Sequence, residues 1–187
     1  MLVPAELSVR ERLAREILRC RRDPYEFFLR AARTEAGRPV RPSPVHKLWM
    51  GHFNDHPQVV LFAPVGFGKT MLVTIWRLIW EIGNNPDIRI AVISSSERLP
   101  GKVLGSIKAE VALNPWVHAV FPHMKPSTTA QRRWGDNALA FERQSRAPDP
   151  TIQIFGPYGK ILGSRLDLIH FDDVCTWGTT LGKWRRG

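Results

Sequence analysis

The stretch Ala63-Pro64-Val65-Gly66-Phe67-Gly68-Lys69-Thr70 is the most informative part of this 187-residue sequence. It matches the phosphate-binding pattern G-x-x-x-x-G-K-[ST] except at the first position, where alanine replaces glycine. In that pattern backbone N–H groups surround a phosphate, the lysine reaches the terminal phosphates and the hydroxyl holds magnesium. Gly66 and Gly68 would allow the close backbone approach, Lys69 would supply the charge, and Thr70 the hydroxyl. We therefore predict that this stretch binds nucleotide phosphates.

The sequence around the loop alternates between strand-like and helix-like patterns. Residues 58–63 form a short apolar run before the loop, and residues 69–82 have the apolar spacing of a helix. A second buried strand is predicted at residues 88–94, and a helical pattern follows at residues 102–113. This alternation is typical of an α/β domain with a largely parallel sheet. Because a phosphate loop needs a strand before it and a helix after it, this context favours that interpretation over an ordinary glycine-rich turn.

Two carboxylates end the last predicted strand. Residues 137–143 and 151–155 predict two strands joined by a polar loop, and residues 166–171 predict a third, central one because its apolar residues alternate less. Asp172 and Asp173 follow, and such a pair is costly at a buried strand end unless it faces a cation or a polar cleft. We predict that Asp172 reaches magnesium and that Asp173 orients or deprotonates the attacking water. A simple turn pair or helix cap is the alternative.

Short helices are predicted before the loop from local capping patterns. Their caps and first-turn partners are Ser8 with Glu11, Asp23 with Pro24 and Glu26, and Ser43 with Pro44. Residues 37–44 contain three prolines and predict an extended linker between the second and third helices. We therefore divide the chain into a helical N-terminal segment at residues 1–36 and an α/β domain at residues 37–187.

Positive charge is concentrated towards both ends of the chain. The formal net charge is +10, and it is distributed as +5 over residues 1–50, zero over residues 51–100 and +5 over residues 101–187. A basic chain with a neutral centre indicates a polyanionic partner, most often nucleic acid. A merely soluble, arginine-rich surface is the alternative.

Cysteine usage and hydropathy point to no disulfide framework and no membrane. Cys20 and Cys175 each lack a second cysteine nearby, so they fit neither a metal-binding knuckle nor a disulfide framework. No apolar run approaches the roughly 20 residues of a membrane-spanning helix, and the N-terminus lacks a signal-peptide core. We expect a cytoplasmic protein.

Several stretches occur in an order that is itself informative. They are the proline-rich segment with a helix before the first strand, Phe62 to Thr70, Ser94-Ser95-Ser96-Glu97, Asn114-Pro115 to Phe121-Pro122, and Gly159-Lys160-Ile161-Leu162-Gly163-Ser164-Arg165-Leu166-Asp167 running directly into the acidic strand end. In this order, over roughly residues 37–174, they resemble the ATPase domain of the large terminase subunit, the DNA-packaging motor of tailed bacteriophages. The pattern Gly-x-Arg-x-Asp before the acidic strand is the most specific feature.

This resemblance implies a fold and a function. The fold is a P-loop NTPase three-layer sandwich with a mostly parallel central sheet, preceded by short N-terminal helices. The function is an ATPase motor, with ATP and Mg²⁺ as cofactors, that translocates double-stranded DNA into a procapsid. The protein would be encoded by a phage or prophage and act in the cytoplasm of the bacterial host cell. The implied partners are the terminase small subunit, the portal protein and further copies in a ring. Arg165 becomes a candidate sensor of phosphate or of a neighbouring subunit.

The sequence departs from the family pattern at specific positions. Val65 stands where terminases often carry arginine, Asp173 where many have glutamate, and His46 is the nearest equivalent of a glutamine that serves the adenine. The family continues past the acidic strand into further strands and a metal-dependent nuclease domain. We therefore expect an incomplete, truncated ATPase domain without the nuclease, which turns over ATP slowly on its own.

Two other functions remain open at the level of sequence. A non-catalytic remnant would fold and bind nucleotide or DNA without hydrolysis, and a helicase-like translocase would share the phosphate loop and the serine-rich strand end. Trp116 and Trp134 could stack on bases beside Arg132 and Arg133, although packing against the core is the simpler interpretation.

Overall fold

The computed structural model describes residues 7–34, 36–95, 98–128, 134–156 and 165–174. These residues form seven helical segments and four strands. In chain order they are α1 (Val9–Arg22), α2 (Pro24–Ala31), α3 (Pro44–Asp55), a π-helix (Thr70–Trp76), α4 (Arg77–Asn84), β1 (Ile90–Ser94), α5 (Arg98–Leu113), α6 (Pro115–Val120), β2 (Ala138–Leu139), β3 (Ile152–Phe155) and β4 (Leu168–Asp172). Within the described ranges, none of the helices has the length and apolar character needed to cross a membrane.

The first three helices begin where their capping patterns predict. The Ser8 hydroxyl accepts from the N–H of Glu11, and the Glu11 carboxylate accepts from the N–H of Ser8. The Asp23 carboxylate accepts from two N–H groups of the first turn of α2, with Pro24 at the first helical position. Ser43 caps α3 in the same way, again with proline in the first turn. These predictions are confirmed, because capping depends on residues within one turn of each other.

The sheet is open, mostly parallel and ordered β2-β3-β1-β4. Strand β1 pairs in parallel with β3 and with β4, whereas β2 pairs antiparallel with β3. In the register of β1 and β4, Ser94 lies opposite Asp172 at the carboxyl ends of both strands. The predicted α/β class with a largely parallel sheet is confirmed at this level.

Two strand predictions are wrong in the described structure. Residues 58–63 form no strand, because this backbone joins no ladder among the described residues. Its side chains still alternate as in a strand: Leu61 and Ala63 pack on the core, while Val60 and Phe62 are 80% and 91% exposed. The acidic strand β4 is not central: β1 is its one described neighbour. Its Ile169 and Phe171 side chains are exposed, so only one of its faces is covered.

Two other predicted elements differ in extent. The helix predicted over residues 69–82 is divided into the π-helix and α4, since the first turns after the loop are wider than an α-helix. The strand predicted over residues 137–143 is reduced to the two residues of β2, with an isolated bridge between Pro126 and Phe141 beyond it.

One hydrophobic core connects the N-terminal helices to the rest of the described chain. Phe27 of α2 packs edge-on against Trp76 of the π-helix at 5.7 Å and against Phe121 after α6 at 5.3 Å between ring centroids. The Trp80 indole N–H donates to the carbonyl of Cys20 in α1 at 2.8 Å. These contacts place the π-helix and α4 against α1 and α2.

The two tryptophans considered for base stacking pack against the protein. Trp116 is partly buried against the core. The Trp134 ring meets the buried Phe141 ring edge-on, with centroids 5.2 Å apart. The packing interpretation is thus supported for both, and Arg132 and Arg133 lie outside the described residues.

Candidate functional site

The predicted phosphate loop connects residues 58–62 to the π-helix. Gly66 and Gly68 have φ angles of 84° and 73°, in the left-handed region that side chains with a Cβ rarely adopt. A Cβ at Gly66 would meet nothing within 4 Å, so the backbone conformation rather than space requires glycine there. The carbonyl of Gly68 accepts from the N–H of Leu72, which ties the end of the loop to the first helical turn.

Lys69 lies across the loop that precedes it. Its Nζ donates to the carbonyl oxygen of Ala63 at 2.7 Å, and the same Nζ lies 3.7 Å from Oδ1 of Asp173. The lysine therefore brings positive charge to a point between Ala63, the first residue of the loop, and Asp173, the acidic residue that follows β4.

Thr70 and Asp172 meet although 102 positions separate them in the sequence. The Thr70 hydroxyl lies 3.5 Å from Oδ1 of Asp172, whose side chain is buried at the carboxyl end of β4. Burial raises the pKa of Asp172, and the neighbouring charge of Asp173 raises it further, against the opposing effect of Thr74, Thr70 and Lys69. A nearby cation would offset this cost by favouring the carboxylate.

Asp173 follows β4 in a conformation unusual for a residue with a side chain. Its φ angle is 47°, in the left-handed region. Strand β4 ends just before it, at Asp172, and the Asp173 side chain is 61% exposed next to Lys69. The two acidic residues thus differ in environment: Asp172 is buried beside a hydroxyl, whereas Asp173 is open to solvent beside an ammonium group.

Thr74 and His170 belong to the same constellation and were not predicted. The Thr74 hydroxyl and Nε2 of His170 share a hydrogen bond of 2.8 Å, and the Thr74 side chain also hydrogen-bonds to Asp172. Burial lowers the pKa of His170 to about 4, so the imidazole is neutral at pH 7. A signal existed on the strand, because His170 lies two residues before Asp172 and hence on the same face. None existed on the helix, since the π-helical turn that presents Thr74 has no local sequence pattern.

The remaining predicted residues lie at different distances from this centre. The His46 ring contacts the loop backbone through Nε2, 2.9 Å from the carbonyl oxygen of Phe67. Val65 is 97% exposed at the tip of the loop. Arg165 is exposed, and no described residue forms a hydrogen bond or ion pair with it. Residues 159–164 of the terminase-like stretch lie outside the described residues.

The acidic strand end and Lys69 border a cleft of about 670 Å³. Its lining includes β4, Asp173 directly after it and the unpaired segment at residues 56–61. In the described residues no three histidine, cysteine, aspartate or glutamate side chains are grouped as metal ligands. An ammonium group, a hydroxyl and two carboxylates are instead arranged around one end of the sheet, which is a set suited to a phosphate with a hard cation.

Comparison with known proteins gives one informative similarity. The chain is 30% identical over 122 residues to the terminase large subunit of Enterobacteria phage T3, an alignment that takes in 64% of this chain and 19% of that protein. The resemblance to terminase large subunits is confirmed. No family model matches the sequence. The chain spans about a fifth of the length of the terminase that it matches, so the activity and partners of a whole terminase are matters for proposal.

Proposed function

We propose that this chain is an ATPase motor module of a phage terminase large subunit, coupling ATP hydrolysis to the movement of double-stranded DNA into a procapsid. The observation that carries the proposal is the meeting of Lys69 with Asp173 and of Thr70 with Asp172, the second pair being 102 positions apart in the sequence. Chance motif matches do not bring a lysine and a hydroxyl to two carboxylates at the end of a parallel strand. The finer fold that we propose is the P-loop NTPase sandwich.

The loop and the lysine would hold the phosphates. Backbone N–H groups of residues 65–68 would surround them, because the two positive-φ glycines turn the backbone tightly and leave no side chain in the way. Lys69 Nζ, now shared between Ala63 and Asp173, would move to the terminal phosphates. The helix that follows adds the partial positive charge of its N-terminus.

Thr70 and Asp172 are the residues that would hold magnesium. Both present oxygen atoms, which are the ligands that this hard cation prefers, and it commonly takes only one or two from the protein. When bound, the ion would neutralise phosphate charge. Thr74 would restrain Asp172 because its side chain also hydrogen-bonds to that carboxylate, and His170 would hold Thr74 through their 2.8 Å hydrogen bond.

Asp173 would act on the attacking water. The water oxygen would form a bond to the γ-phosphorus while the bond from that phosphorus to the β,γ-bridging oxygen breaks, and the water proton would pass to the Asp173 carboxylate. Arg165 would sense phosphate or a neighbouring subunit. Double-stranded DNA, the small subunit, the portal protein and a ring of copies are the partners that we propose from the terminase similarity and from the basic ends of the chain.

Titration calorimetry with ATP and Mg²⁺ tests the binding half of this proposal. Lys69→Ala should weaken ATP binding by at least tenfold, because it removes the charge that meets the terminal phosphates. Lys125→Ala is the matched control, since Lys125 is exposed and lies outside the loop. Equal ATP affinity for wild type and Lys69→Ala would contradict the proposal.

Steady-state phosphate release tests the catalytic half. Asp173→Asn should retain ATP binding and lose most of the turnover of the wild type, since the amide cannot take a proton from water. Binding by the wild type without any turnover, with or without duplex DNA, would favour the non-catalytic remnant instead.

A further inference from the structure

The His46 ring is held on three sides. Nδ1 accepts from the N–H of Ser43 at 2.9 Å, and Nε2 lies 2.9 Å from the carbonyl oxygen of Phe67. The ring also meets Trp49 edge-on, with ring centroids 5.1 Å apart, and Trp49 is buried. A histidine at the third position of α3 therefore completes the helix cap with one nitrogen and contacts the phosphate loop with the other.

These partners determine which nitrogen carries the proton. A backbone N–H group can only donate a hydrogen bond. Nδ1 of His46, which faces the Ser43 N–H, must therefore be unprotonated and accept through its lone pair. In the neutral ring the hydrogen is then on Nε2, which donates to the Phe67 carbonyl. Both nitrogens are thus engaged by backbone groups.

The hydrogen bond to the Phe67 carbonyl also determines the orientation of the N–H group in the same peptide unit. The group joining Phe67 and Gly68 is planar and trans, so its C=O and N–H point in opposite directions. With the Phe67 oxygen turned towards His46, the N–H of Gly68 is turned away from it. Among the described residues this N–H has no hydrogen-bond partner. The peptide lies between the two positive-φ glycines, where the backbone would otherwise rotate most freely.

We propose that His46 is a positioning residue of the phosphate loop: it holds the Phe67 carbonyl outward so that the Gly68 N–H stays available for a phosphate oxygen. The inference rests on the proposed function for its ligand, a nucleoside triphosphate bound through its phosphates. It gives His46 a role that needs no contact with the base. A preorganised N–H costs no rearrangement when the anion binds.

Backbone ¹⁵N relaxation of the ligand-free protein tests the positioning directly. His46→Ala removes both the cap bond and the loop bond, whereas Ser43→Ala weakens the same cap but leaves the bond to Phe67. In His46→Ala we expect the backbone order parameters of residues 66–70 to fall clearly below about 0.85, the value of a rigid backbone, and in Ser43→Ala we expect them to equal those of the wild type. His46→Gln retains an acceptor for the cap and an N–H donor, and it should restore part of the lost order. Equal order parameters in all four proteins would overturn the proposal.

Binding of two ligands separates positioning from contact with adenine. Affinity for ATP and for tripolyphosphate, which has no base, should fall together by about tenfold in His46→Ala, since hydrogen bonds to charged groups are the stronger kind. Loss of ATP affinity with unchanged tripolyphosphate affinity would overturn the proposal in favour of a base contact. If the wild type binds neither ligand, the proposed function fails, and the relaxation experiment still decides whether His46 orders the loop.

Discussion

Gly83, near the end of α4, is a residue whose missing side chain decides how two elements pack. A Cβ at this position would lie 2.5 Å from Cγ and from Cδ2 of the buried Phe121 ring. The Gly83 carbonyl oxygen also accepts a hydrogen bond from Nε2 of His123 at 2.8 Å, so the chain after α6 is held against this turn of α4. The close approach is possible only because glycine leaves room for the ring.

We predict that Gly83→Ala destabilises the protein by about 1–3 kcal/mol, because the aromatic ring must move out of a filled core. Gly105→Ala is the control, since Gly105 lies in α5 with nothing within 4 Å of the added carbon. That change should stabilise the protein by about 0.5–1 kcal/mol through helix propensity. Urea denaturation of both variants measures the difference, and equal midpoints would contradict the prediction.

At the level of elements, Asp167 ties the starts of β1 and β4 together. Its carboxylate accepts from the backbone N–H, Nε and Nη2 of Arg89 at 2.8–2.9 Å. The hydrogen bond from the Arg89 side chain lowers the pKa of Asp167, and the backbone N–H acts in the same direction. The aspartate of the terminase-like Gly-x-Arg-x-Asp pattern thus sets the register that puts Asp172 opposite Ser94.

We predict that Asp167→Asn destabilises the protein by about 1 kcal/mol at pH 7, a modest value because the pair is partly exposed to solvent. Since the folded-state pKa is lowered, the contribution is present above the ordinary carboxyl value near 3.8 and is lost as the pH falls through the folded-state value. Denaturation of wild type and variant at pH 7 and pH 3 should therefore show a gap that closes in acid. Asp136→Asn, at an ion pair whose carboxylate is 98% exposed, should show little gap at either pH.

The elements that sequence predicts well here are those with local causes. The starts of α1, α2 and α3 depend on caps within one turn. Strands β1 and β3 are short apolar runs, a pattern that favours a buried strand. Residues 58–63 have the same apolar character but form no strand, because strand formation depends on a partner that composition does not specify. The four central residues of the site were named from a loop motif and a strand end. Thr74 could not be, because its position depends on the phase of a π-helix, whereas the strand spacing from Asp172 did offer a signal for His170.

At the scale of the whole molecule, charge is the property that bears on a partner. The net charge of +10 is carried by the two ends of the sequence, while residues 51–100, which contain the loop, are neutral. A DNA-packaging motor must grip phosphates at any sequence, so such charge suits the proposed role.

We predict duplex DNA binding that is independent of sequence and weakens steeply with salt. Each neutralised phosphate releases counterions and adds about 0.9 to the slope of log affinity against log salt. Fluorescence anisotropy with two unrelated duplexes at several salt concentrations measures both properties. A flat salt dependence, or a strong preference for one duplex, would argue against a packaging motor.

The outer edge of β4 also affects how the chain behaves in concentrated solution. In the described residues this edge has no paired strand, and Ile169 and Phe171 beside it are 47% and 60% exposed. Such an edge is a template for pairing between molecules, and the mutual repulsion of positively charged copies opposes it. Added salt screens that repulsion over about 10 Å at 0.1 M, so the same salt that releases DNA would favour edge-to-edge association and loss of the protein from solution.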